Sequence, residues 1–202
     1  MLAVSVVTRQ NGEMMHAFPC GTPILDFVGT LRARRNPRPL EMLTSPESLD
    51  AWFRESGVID GGEACRPSDV TEAVALREAV HALLVARLTG ADYDSGALAV
   101  VNRAAREPSA VPQLGAEGRR VQADPGQALS SLARQAIDVL SGPEGALLKE
   151  CSRPECTQIY LDRSRGGRRE WCAMDPCGNR VKAAAYRARK KAGASASPAS
   201  AR

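Results

Sequence analysis

The sequence predicts an α+β protein. A mostly helical N-terminal domain with a small sheet precedes a compact C-terminal module built around cysteines. Three observations carry this. Much of the first 145 residues repeats apolar side chains at helical spacing between caps and glycine stops. Four of the six cysteines fall within 151–177, in two pairs of identical spacing. Charge is divided unevenly: residues 1–150 hold 15 Lys and Arg against 19 Asp and Glu, whereas residues 151–191 hold 11 against 4.

In chain order, residues 1–17 are expected to be a flexible extension, since MLAVSVVTRQNGE has no clear period. The body spans 18–145. PILDFVGTL (23–31) is an apolar run whose length leaves strand and short helix open. RARRNPRP reads as a loop from its prolines and dense charge. TSPESLDAWFRESG is a helix with Thr44 or Ser45 as cap, Pro46 in the first turn, Gly57 as stop, and Leu49, Trp52 and Phe53 as its core stripe. PSDVTEAVALREAVHALLVARLTG is a longer one, with Ser68 as cap and Gly90 at its end. Val70, Val74, Arg77, Val80 or His81, Leu84 and Leu88 line successive turns, and Leu76, Leu83 and Val85 widen the buried face. A third helix covers 95–107, a short hairpin turns at Glu117–Gly118, and Asp124–Pro125 opens a fourth helix over 125–141, closed by Gly142–Pro143. The end, 192–202, is small and polar with nothing to bury, and is expected to be a disordered tail.

The apolar fraction of 44% and charged fraction of 25% suit a globular protein, and no apolar run nears the ~20 residues that span a bilayer. A cytoplasmic location with reduced thiols is therefore expected, where paired cysteines favour metal over disulfides. No Gly-rich phosphate loop or nucleophile elbow is present, and the only histidines are His16 and His81, so no enzyme is expected. Cys20 and Cys65 stand alone in sequence and are read as buried or inert thiols, with a redox-sensing role as the alternative.

Within 146–191 the spacing is Cys151-x4-Cys156, then Cys172-x4-Cys177. Two turns that each supply two thiolates, brought together by an intervening hairpin, build a tetrahedral S4 zinc site. TQIYL and RREWC are the expected hairpin arms around SRGG, with Ile159, Leu161 and Trp171 as shielding. An iron–sulfur centre is the alternative; a catalytic zinc normally keeps a water in place of one protein ligand, whereas four cysteines close the shell. So small a module needs metal to fold, and one structural Zn2+ is expected. After Cys177, a helix gathers Val181, Ala184, Ala185 and Ala188 on one arc and sets Arg and Lys on the rest. The apolar arc is expected against the hairpin with the basic face outward, in a treble-clef or zinc-ribbon-like arrangement.

With CSRPEC, YLDRS, RREWC, CGNR and VKAAAYRARKK in place, the segment resembles the CGNR-type zinc finger. Glu170 stands directly before Trp171–Cys172, where that family usually has Arg. Upstream, PILDFVGT and LEMLTSPESLDAWFRESGVI resemble the ABATE domain that accompanies this finger in bacterial regulators, with Gly29 where Asn is more frequent. The resemblance implies a stress-linked transcription regulator that binds double-stranded DNA. Arg168, Arg169, Arg180, Lys182, Arg187, Arg189 and Lys190 are the expected DNA contacts, with Arg180 alternatively the counter-charge of the metal site. A small-molecule effector pocket or a homodimer surface is expected near Asp26, Phe27, Trp52 and the long helix over 69–89. The alternative function is a non-catalytic adaptor for protein or RNA.

Overall fold

The computed structural model describes residues 16–195. The predicted extension up to residue 15 and the end beyond 195 lie outside the described residues. The apolar run at 23–31 resolves as a short helix, α1 (Pro23–Val28), capped by Thr22, and then a strand, β1 (Leu31–Arg32). Pro23 at the first helical position decides between the two readings, because its fixed φ suits a helix start. The arginine-rich loop follows and returns as β2 (Leu40–Glu41), antiparallel to β1.

Helix α2 (Pro46–Glu55) starts at Ser45 with a reciprocal Ser45–Ser48 capping box and buries Leu49, Trp52 and Phe53, as its stripe predicts. Helix α3 (Pro67–Thr89) ends at Gly90 in the left-handed conformation (φ 74°). Its start differs from expectation. Arg66, not Ser68, is the cap residue, because Pro67 takes the first helical position and the Asp69 carboxylate accepts from the Arg66 backbone N–H. Val85 and Leu88 are exposed rather than buried. Contacts with α1, α2, α4 and α5 spread burial around α3, so alanines Ala73, Ala79 and Ala86 fill close approaches that a single stripe would not include.

Helix α4 (Ser95–Arg106) leads to the hairpin β3 (Gln113–Gly115) and β4 (Gly118–Arg120), whose register places the turn at Ala116–Glu117, one residue before the predicted position. Helix α5 (Pro125–Ser141) has the predicted bounds, with an Asp124–Gln127 capping box. The chain at 60–62 runs beside 121–123, with Ala123 N–H donating to Gly61 O. Gly62, at φ 153°, is obligatory there: a Cβ would sit 1.8 Å from the Ala123 carbonyl oxygen. One buried charge fixes α3 to the first hairpin. Arg77, 1% exposed, holds Glu41 through two bonds of 2.5 and 2.7 Å and also donates to Thr30 and Glu78.

The C-terminal module pairs β5 (Leu148–Glu150) with β6 (Ile159–Leu161), antiparallel. This corrects the expected hairpin. TQIYL pairs backwards with residues before the first cysteine, and RREWC forms no strand. The first Cys-x4-Cys turn is itself the connection between the two strands, so its geometry is set by the ladder. The arm at 162–169 is held instead by Asp162, whose carboxylate accepts from the backbone N–H groups of Ser164 and Arg169 and from Lys149 Nζ.

Body and module share one core. Ile159, Tyr160 and Leu161 are buried with α1 residues Ile24 and Leu25 in a single apolar cluster, and Leu161 N–H donates to Cys20 O. Cys20 and Cys65 are both buried. At the seam the Cys20 thiol donates to Gln158 Oε1 (3.2 Å), and Gln158 Nε2 donates to Gly29 O (2.9 Å). A Cβ at Gly29 would meet that amide at 2.1 Å, so the glycine makes room for Gln158. The Asp26 carboxylate accepts from the Cys20 backbone N–H. Burial pushes Asp26 up to about 7, against the opposing bonds from Cys20 and the Arg169 charge. Its folded pKa thus lies above its unfolded one, the native state keeps the extra proton between these values, and stability falls as pH rises through the upper one. Between about pH 6 and pH 8 the expected loss is about 1.4 kcal/mol, and Asp26→Asn is expected to abolish it in denaturation curves recorded at both pH values.

Candidate metal centre

The Sγ atoms of Cys151, Cys156, Cys172 and Cys177 all lie within 4.8 Å of one another, and all four residues are buried. Cys156 and Cys172 are 3.8 Å apart, Cys172 and Cys177 3.7 Å. A tetrahedron with ~2.3 Å metal–sulfur bonds has sulfur–sulfur edges of about 3.8 Å, so the cage has the size of a zinc ion. Two local features build it. In the first turn, Cys156 N–H donates to Arg153 O and Cys151 N–H to Gln158 O across the ladder. The second pair bends through a turn at Met174–Gly178, which includes a cis Asp175–Pro176 peptide, into helix α6 (Asn179–Ser195). The turns are joined by Ser152 N–H donating to Glu170 O.

Four thiols this close compete for charge. Cys177 is drawn down to about 6: the Cys151 hydrogen bond opposes this, and those from Cys156, Cys172 and Arg153 drive it. Cys172 is driven far up by its bonds to Cys151, Cys156 and Cys177. One divalent cation resolves the conflict by deprotonating every ligand, and a closed S4 shell makes the ion structural. The centre is thus the site of one structural zinc ion. Its counter-charge is Arg153, whose Nη1 lies 3.7 Å from Cys177 Sγ. Arg180, the alternative for that role, is exposed on α6. Sequence reasoning missed Arg153, although a cation two residues after the first ligand was a usable signal.

Arg169, an expected DNA contact, is committed elsewhere. Its guanidinium donates to Trp171 O (2.8 Å), Pro19 O (2.8 Å) and the Cys172 carbonyl, and lies 4.5 Å from the centroid of the Tyr160 ring. It is a bracket between the metal module and the body. Arg168, Arg180, Lys182, Arg187, Arg189 and Lys190 are all exposed. Lys182 Nζ also sits 5.8 Å from the Trp171 ring centroid.

The expected apolar arc of α6 is not packed on the hairpin. Ala184, Ala185 and Ala188 are exposed, and only Val181 is half-buried. The hairpin's apolar residues are already spent on α1, which leaves alanines nothing large to meet. The helix also runs through Gly193 to Ser195, past the predicted end. The proposed effector residues are core as well. Phe27 and Trp52 are 0 and 1% exposed with ring centroids 5.0 Å apart, and Asp26 is buried at the seam, so none is open to a small ligand.

Residues 21–143 match the family model ABATE, described as a putative stress-induced transcription regulator, and residues 148–190 match that of the CGNR zinc finger. No curated protein matches the chain.

Proposed function

The chain belongs to the stress-induced transcription regulator family that ABATE defines, and on that premise we propose that it binds double-stranded DNA through α6. The observation that carries the reading is one of position. A closed zinc centre fixes the start of a helix on which Arg180, Lys182, Arg187, Arg189 and Lys190 are all exposed. These cations bind phosphates, and an Arg that reaches a groove reads guanine by a bidentate pair. Tyr186, 61% exposed, donates to a phosphate alongside them. The zinc ion organises the helix and takes no part in chemistry.

In this reading the binding serves a stress response, which the family's description supports, and an effector supplies the signal. Its place is the hollow of about 450 Å³ between α3, α4 and α5, lined by Glu72, Leu76, Val100, Arg103, Glu107 and Leu129. One small module neutralises few phosphates, so tight binding calls for a second copy of the chain. Selection of duplexes from a random pool by the zinc-loaded protein tests the reading. Recovery of a common sequence, lost in Cys177→Ser, is the expected result. Equal weak binding to duplex DNA and single-stranded RNA, with no sequence preference, would overturn it in favour of an adaptor.

A further inference from the structure

We infer that the body contributes a second part of the polyanion surface, the arginine loop between β1 and β2, and that DNA phosphates bridge this loop and α6. The inference rests on the DNA reading above and extends it from one helix to two domains.

The loop carries Arg34, Arg35 and Arg38 within five residues, directly after Arg32 at the end of β1. It is docked on the module rather than apart from it: Arg34 N–H donates to Thr157 Oγ1 (3.2 Å). It also has a defined shape. Ala33 adopts φ 54°, unusual for a residue with a Cβ, and Asn36 N–H closes a turn on its carbonyl (2.8 Å).

The arginines divide by role. Arg34 is an anchor, its guanidinium held bidentately by Glu78 at 2.5 and 3.1 Å and donating to Val28 O. Arg35 and Arg38 are exposed. Among the described residues Arg35 pairs with Glu150 of β5 alone, and that pair is itself solvent-facing, so its cation exchanges readily for a phosphate. Arg38 makes no hydrogen bond or ion pair among the described residues.

Geometry brings these charges toward α6. Thr157, which receives the loop, directly follows the ligand Cys156. The Sγ of Cys156 lies within 4.8 Å of that of Cys177, which precedes Arg180 by three positions. The loop and the start of the basic helix therefore flank one metal centre, in a fixed relation that metal and ladder maintain. On this reading a duplex laid on α6 at Arg180 also takes Arg35 and Arg38 of the loop as phosphate contacts, since the loop is bonded to the turn that carries Cys156.

The test is the salt dependence of duplex binding by full-length, zinc-loaded protein. Each phosphate neutralised contributes about 0.9 to the slope of log affinity against log salt. Arg35→Gln with Arg38→Gln is expected to lower the slope by about 2, which makes the fall in affinity between roughly 50 and 200 mM salt about tenfold shallower. Lysine at both positions is expected to restore it, because charge and not shape is lost. Arg106→Gln, at the far end of α4, is expected to leave the slope unchanged. A double glutamine variant with wild-type slope, beside an α6 variant with a reduced one, would overturn the loop's role and leave the helix's intact. Failure of the wild-type protein to bind any duplex would overturn both.

Discussion

Stripping the metal with a chelator, or replacing Cys177 with Ser, is expected to unfold residues 146–191 while the helical body stays folded at reduced stability. Structural zinc contributes on the order of 10 kcal/mol or more to small modules of this kind. Here the module alone has too little core to offset its loss. The two tryptophans separate the outcomes. Trp171 lies beside the metal turn, close to Met174 and Gly178, whereas Trp52 is packed against Phe27, Phe53 and Phe18 in the body. Chelation is therefore expected to shift emission in a Trp52→Phe variant and leave it near its native value in a Trp171→Phe variant. One zinc per chain by metal analysis, restored with the native signal on readdition, completes the expectation. Native Trp171 emission and intact C-terminal amide protection after metal removal would contradict it.

Arg169→Ala is expected to cost about 3–5 kcal/mol, the largest effect of any single arginine in the module. The change leaves the Pro19, Trp171 and Cys172 carbonyls without their cationic donor and uncovers the Tyr160 ring. Hydrogen bonds from a charged donor are worth roughly 1.5–3 kcal/mol each, and partial exposure of the side chain trims the sum. A chemical denaturation midpoint reads the loss. The salt slope of DNA binding, measured where the variant is folded, is expected to stay at the wild-type value, which distinguishes a bracket from a phosphate contact.

The parts legible in the sequence were those specified by local rules. Ser45, Asp124, Pro46, Pro125 and Gly90 mark helix ends because caps and fixed or permissive φ values act over a few residues. The cysteine pairs were legible because ligand spacing is chemistry written directly into the chain. What local rules do not contain is partner choice. β6 could pair with either neighbour, and only the buried contacts with α1 select β5. Arg169 and Arg168 are adjacent and chemically identical, yet one reaches Pro19 across 150 residues and the other faces solvent. Core membership of Trp52 was visible in the stripe of α2, and Phe27 stood in an apolar run, but apolar aromatic residues line pockets and fill cores alike. The same ambiguity explains α6: an alanine arc signals a face that tolerates close approach and does not supply something to approach.

The continuous core between β6 and α1 has a consequence for how the molecule can be divided. Sequence models describe two successive units, which invites treating the finger as an exchangeable cassette. Cutting near residue 145 would expose Tyr160 and Leu161, strip the Cys20 carbonyl of the Leu161 N–H, and leave Arg169 with no Pro19 to hold. Neither fragment would keep the surface that made it stable. Grafting this finger onto a foreign body therefore requires carrying α1 with it, and the smallest transferable unit is a discontinuous one.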